Sequence, residues 1–85
     1  MLGRVRVAGH SMEPSLRHGD TLVYLRLPLH AGAVVVAEDP RDDRLVVKRV
    51  AAIDGDDVIL ASDAPGHESL LVERRAVLGR VVLRY

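Results

Sequence analysis

Leu45-Val46-Val47-Lys48-Arg49-Val50 is the most strongly β-patterned run in the chain, and its reading decides the fold. Branched apolar residues of this kind fit a pleated, half-buried surface. A period of two puts Val46, Lys48 and Val50 on one face and Leu45, Val47 and Arg49 on the other. Extended outward, the pattern predicts a long strand over Arg44–Ile53. The same signal predicts strands over Arg4–Val7, Thr21–Leu27, Ala33–Glu38, Val58–Ala61 and Ala76–Tyr85. Turn chemistry separates them at Gly19-Asp20, Pro28 through Gly32, Asp39 through Asp43, Asp54 through Asp57, and Ser62 through Ser69. Short helical turns are expected at Ser11–Arg17 and Val72–Arg75. Strands at this spacing imply a mainly β fold, a small antiparallel barrel or sandwich.

With 85 residues the chain is expected to form one domain, residues 1–85, with a small core. Twelve basic and twelve acidic side chains give a formal net charge of zero, so no global field recruits nucleic acid or an anionic membrane. Apolar runs such as Val34–Ala37 and Val81–Leu83 fall far short of the roughly 20 residues of a spanning helix. No signal peptide is legible either, so the expectation is a cytoplasmic chain with no membrane span. The absence of cysteine excludes disulfides, thiol nucleophiles and Cys-ligated zinc. His10, His18, His30 and His67 show neither an i, i+4 pair nor a zinc-motif spacing, so no metal and no cofactor is expected. The sequence carries no signal for an oligomeric state.

One feature of the composition bears on chemistry. Eleven of the twelve basic residues are arginine, and Lys48 is the single lysine. Such a bias fits a GC-rich coding sequence, against which a surviving lysine is either accidental or chemically required.

The segment Gly9-His10-Ser11-Met12-Glu13-Pro14-Ser15-Leu16-Arg17-His18-Gly19-Asp20 joins two expected strands. A serine at the exit of a strand, two residues after a glycine, can project its hydroxyl from a tight turn that a substrate backbone can approach. Its amide can then face an oxyanion. The commonest use of a serine here is plainer, as the cap of a helical turn. A nucleophilic serine needs a base. His10 adjoins Ser11 and in an extended segment points to the opposite face. Nothing in the spacing singles out His18, His30 or His67.

Lys48 is the other candidate. Flanking valines partly desolvate its ammonium, which disfavours the charged form and lowers the pKa. A neutral amine can take a proton from Ser11, whereas a guanidinium stays protonated. The ordinary alternative is a lysine that reaches solvent from a strand edge.

The ordered boxes Gly9-x-Ser11-Met12-x-Pro14-Ser15-Leu16, Gly19-Asp20, Val46-Val47-Lys48-Arg49-Val50 and Gly79-Arg80-Val81 resemble those of the signal-peptidase-like serine peptidases. These are the type I signal peptidases and the LexA-type self-cleaving repressors. The resemblance implies a small antiparallel barrel-like catalytic core of the LexA/signal peptidase type. It also implies Ser11 as nucleophile, Lys48 as general base, and small residues before the cut. Gly9, where many signal peptidases carry a serine that donates to the oxyanion, leaves that task to backbone amides. Met12 and Pro14 are expected to shape the groove, Met12 equally as core filler. The third box is eroded: Ser62-Asp63-Ala64-Pro65-Gly66-His67-Glu68-Ser69-Leu70 stands where signal peptidases have G-D-N-x-x-x-S-x-D-S-R. Asp63 matches the aspartate of G-D-N, as a supporting or a turn residue.

With ten residues ahead of Ser11, neither a membrane anchor nor a DNA-binding domain is expected there. In length and box order the chain resembles the proteases that trim the leader from nickel-type superoxide dismutase. The expected function is thus a serine endopeptidase with a Ser11/Lys48 dyad that removes a leader or signal-like peptide from a protein precursor. Its partner is an extended peptide paired as an added strand. The rival readings are a catalytically degenerate peptide-binding module of the same fold and a small assembly domain joined through a strand edge.

Overall fold

The structure, a computed structural model, describes residues 2–85. Seven strands occur in chain order: β1 Leu2–Arg6, β2 Thr21–Leu25, β3 Val34–Glu38, β4 Leu45–Asp54, β5 Asp57–Ala61, β6 Leu70–Glu73 and β7 Val77–Arg84. They form one antiparallel sheet in the order β1-β2-β7-β3-β4-β5-β6, curled into a half-barrel. The last strand lies inside the sheet, between β2 and β3. Its first half pairs with β3, Val77 opposite Ala37 and Arg80 opposite Val35. Its second half pairs with β2, Leu83 opposite Val23 and Arg84 opposite Leu22. β7 therefore joins the β1–β2 hairpin to the β3–β6 meander. Register shifts at Val23/Tyr24, Val36/Ala37 and Val50/Ala52 interrupt the ladders, and an extra residue of this kind bends and twists a strand.

Period-two patterning buries both faces of the middle strands. Val35, Ala37, Val50, Val58, Leu60, Val72 and Val77 belong to one apolar cluster. Val7, Met12, Leu16 and Leu22 form another, with Val34 and Val47 packed on it from the opposite face of β3 and β4. Lys48 thus shares its face with Val46 and Val50, as the alternation predicts, and its Cα partner is the fully buried Val35.

Two local expectations change. Val72–Arg75 is not a helical turn: Leu70–Glu73 is a strand paired with β5, and a 3₁₀ turn follows over Arg74–Ala76. Its alternation is real, with Leu70 and Val72 buried and Leu71 and Glu73 exposed. An apolar residue on the wet face, opposite the exposed Ile59 of β5, hides the period in the sequence. Residues 11–17 form successive turns rather than a helix, closed by the Leu16 N–H donating to the Met12 carbonyl at 2.9 Å. Ser11 therefore has no helix to cap.

Tyr24 and Leu25 of β2 account for two glycines. A Cβ on Gly3 of β1 would run into the Tyr24 ring, and one on Gly79 of β7 would meet the Leu25 carbonyl oxygen at 2.7 Å and the Tyr24 ring at 2.9 Å. The backbone oxygen cannot swing aside as a side chain can. Gly79→Ala is expected to destabilise the fold by about 1–3 kcal/mol, the usual cost of overpacking, read as a lower denaturant midpoint.

The β3–β4 connection is tied by Asp39, which is 4% exposed. Its carboxylate accepts from the Arg41 backbone N–H at 2.9 Å, from Nε at 3.0 Å and from Nη2 at 2.7 Å. These bonds pull its pKa down to about 2.

Candidate active site

The turn that carries Ser11 is a closed loop between β1 and β2. Val7 donates to the Asp20 carbonyl and accepts from the Gly19 N–H, both at 2.8 Å. The Arg17 N–H donates to the Asp20 carboxylate at 2.9 Å. Gly9 sits at φ +89°, a backbone conformation natural to glycine. Met12 and Leu16 hold the loop to the core, whereas Glu13 is half-buried and Pro14 exposed. Met12, 1% exposed, thus fills the core and also lines the cleft beside Ser11.

Both principal candidates line that cleft. Ser11 lines it from the loop and Lys48 from β4, with Val5–Ala8 of β1 and its exit on one side and Leu45–Val47 on the other. β1 is an edge strand. The pairing of β4 with β5 begins only at Arg49, so Leu45–Lys48 also presents an unpaired main-chain edge.

Ser62, Asp63 and Ala64 bind both halves of the cleft. Alternation sends Lys48 and Arg49 to opposite faces of β4, and the residues just past β5 receive them in turn. The Lys48 ammonium Nζ donates to the Ser62 Oγ at 2.7 Å. Arg49 donates through Nε and Nη2 to the two Asp63 oxygens, each at 2.8 Å, and through Nη1 to the Gly32 carbonyl at 2.8 Å. The Ala64 N–H donates to the Ser11 carbonyl at 2.9 Å. Asp63 therefore braces the strand that carries Lys48, through Arg49. That two-point pair is the strong geometry for guanidinium and carboxylate, and it lowers the Asp63 pKa.

Burial lowers the Lys48 pKa below 10.5, and the nearby Arg41 charge lowers it further, against an opposing pull from Asp39. Both main effects favour the neutral amine. An amine that spends one N–H on Ser62 keeps its lone pair for a second partner.

Gly9 is tied through its main chain. Its N–H is committed to the His18 Nδ1 at 2.9 Å. Among the described residues the Ser11 N–H has no main-chain acceptor in the turn. Pro14, after a cis peptide bond to Glu13, lies on the exposed side of the turn.

Ser62, Ala64 and His18 were not singled out by sequence reasoning. For Ser62 a signal existed: it precedes Asp63, in the place of the glycine of G-D-N, and a hydroxyl there stands one residue beyond the β5 partner of Arg49. For Ala64 none existed, because its contribution is a main-chain N–H.

Among the described residues no three His, Asp or Glu side chains gather as metal ligands, and no helix is long and apolar enough to cross a membrane.

Comparison with known proteins agrees with this architecture. Signal peptidase I of Streptococcus pneumoniae serotype 4 (strain TIGR4) is 38% identical to the chain over 60 residues, and so is that of strain R6. Those alignments cover 69% of this chain and 29% of each relative, so the chain spans under a third of the length of these relatives. The family profile described as Peptidase S24-like matches residues 2–82, from β1 into β7. On a match of that extent, joined to the curled antiparallel sheet, the chain belongs to the Peptidase S24-like family.

Proposed function

We propose that the chain is a serine endopeptidase in which Ser11 is the nucleophile and Lys48 the general base. The observation that carries this reading is the convergence of Ser11 and a half-buried Lys48 on one cleft, with the lysine amine held by Ser62 at 2.7 Å. The cleft runs between two unpaired main-chain edges, β1 and Leu45–Lys48. An extended peptide laid between them gains backbone hydrogen bonds on both sides, and shallow pockets select its side chains.

In the reaction the Ser11 Oγ attacks the scissile carbonyl carbon while neutral Lys48 takes the hydroxyl proton. The negative charge that develops on the carbonyl oxygen is met by the Ser11 N–H. Lys48 then returns the proton to the leaving amine as the C–N bond breaks, leaving an acyl ester on Ser11. Water, deprotonated by Lys48, attacks the ester and frees the second product. Ser62 accepts an N–H of Lys48 and so aims the amine lone pair. Asp63 and Arg49 hold the strand from which Lys48 projects.

The substrate class proposed is a protein precursor that loses a leader or signal-like segment after a small residue, as in the trimming of nickel-type superoxide dismutase, whose proteases the chain resembles in box order. The test is cleavage of an Ala-rich library of extended peptides, read by mass spectrometry. Cuts after small residues are expected. Peptides bound but left uncut would instead favour the peptide-binding module.

Ser62→Ala removes only the acceptor that aims Lys48. It is expected to lower kcat about 10- to 100-fold on the best-cleaved peptide, the scale of a misdirected catalytic group, with the unfolding midpoint little changed.

A further inference from the structure

The loop that delivers Ser11 is tied back to β2 by a ladder that changes character partway. Val7 exchanges two main-chain bonds with Gly19 and Asp20, each at 2.8 Å. The next donor along that edge is the Gly9 N–H, and its acceptor is a side chain, the Nδ1 of His18 at 2.9 Å. No side chain packs where a Cβ on Gly9 would stand, since nothing lies within 4 Å of that position. Conformation and this one bond therefore set the direction in which residues 9–11 leave β1, with Ser11 two residues on.

We infer that His18 is a positioning residue for the nucleophile, holding the Gly9 N–H so that the Ser11 hydroxyl and amide face the cleft. This rests on the Ser11/Lys48 reading above. A ring that accepts at Nδ1 is neutral and carries its proton on Nε2, since an imidazolium has no acceptor. The neighbouring imidazole does not compete for Gly9. The His10 ring lies beside His18 with centroids 5.9 Å apart, and its own Nδ1 is engaged with the Glu13 carboxylate at 2.5 Å. Other ties on the loop hold its later part: the Glu13 N–H on the His10 oxygen at 3.2 Å, the Ala64 N–H on the Ser11 oxygen and the Arg84 Nη1 on the Ser15 oxygen, the last two at 2.9 Å.

Two variants separate positioning from bulk. His18→Leu keeps a branched side chain of similar reach and removes the acceptor. His18→Asn places a side-chain oxygen near the position of Nδ1 and restores it. On the best-cleaved peptide of the Ala-rich library, His18→Leu is expected to lower kcat about tenfold or more with KM little changed. His18→Asn is expected to recover kcat to within about threefold of the unaltered chain. Hydrogen exchange at the Gly9 amide reads the bond without catalysis, and should quicken in His18→Leu and slow again in His18→Asn. An unchanged kcat and unchanged Gly9 exchange in His18→Leu would overturn the inference. So would a His18→Asn chain that protects Gly9 yet stays as slow as His18→Leu. Failure of the unaltered chain to cut any peptide would overturn the peptidase reading instead, while Gly9 exchange still decides whether His18 holds the loop.

Discussion

Lys48→Arg is expected to cut peptide cleavage by about 10²–10⁴-fold, the range that a positioned general base contributes, while the fold survives. The substitution keeps a positive charge and a long apolar stem. It takes away the ability to be neutral, because a guanidinium stays protonated in proteins. Lys48 is suited to the neutral form by its surroundings: burial and the Arg41 charge both lower its pKa, and only Asp39 opposes them. Steady-state cleavage of the best library peptide, with the unfolding midpoint of each chain alongside, checks the prediction. Cleavage at the unaltered rate would remove Lys48 as the base.

Ser11→Ala should cost more, on the order of 10⁴-fold or beyond, since loss of a serine nucleophile removes the covalent route itself. The side chain lines the cleft, so its loss exposes no core and leaves the apolar anchors Met12 and Leu16 in place. Peptide binding should persist, because the edges of β1 and Leu45–Lys48 are untouched. Groups that act as a unit are not additive, so Ser11→Ala/Lys48→Arg should be no slower than Ser11→Ala alone. A double variant slower by the product of the two losses would mean that Lys48 acts independently of Ser11.

Much of this architecture is written in short-range pattern. The Leu45–Val50 alternation places Lys48 on the face of Val46 and Val50, and the strand adopts it because β3 supplies buried valines opposite. Turn residues mark all but one of the connections. β6 escapes because Leu71 is apolar on a wet face, and periodicity reads sequence rather than exposure. The place of β7 inside the sheet is not local information either, since it follows from pairing with two strands far apart in the chain.

The site divides along the same line. Ser11, Lys48 and Asp63 are legible as residue types in ordered boxes. Ser62 and His18 act through partners 14 and 9 residues away, at distances that only the folded chain sets. Ala64 acts through its backbone, which no side-chain pattern records. Asp39, remote from every box, becomes relevant because β3 ends beside the strand that carries Lys48, where its charge and that of Arg41 pull the lysine in opposite directions.

The central claim is that a neutral Lys48 activates Ser11, and the pH dependence of kcat/KM tests it most directly. Only the unprotonated amine can take the proton, so the rate must rise with pH and level off once Lys48 has lost its charge. Because burial and Arg41 lower the Lys48 pKa, that midpoint is expected below 10.5. A single ionisation with its midpoint in that range, abolished in Lys48→Arg, is the predicted result. A rate independent of pH across the range in which the protein stays folded, with chemistry limiting, would contradict the account.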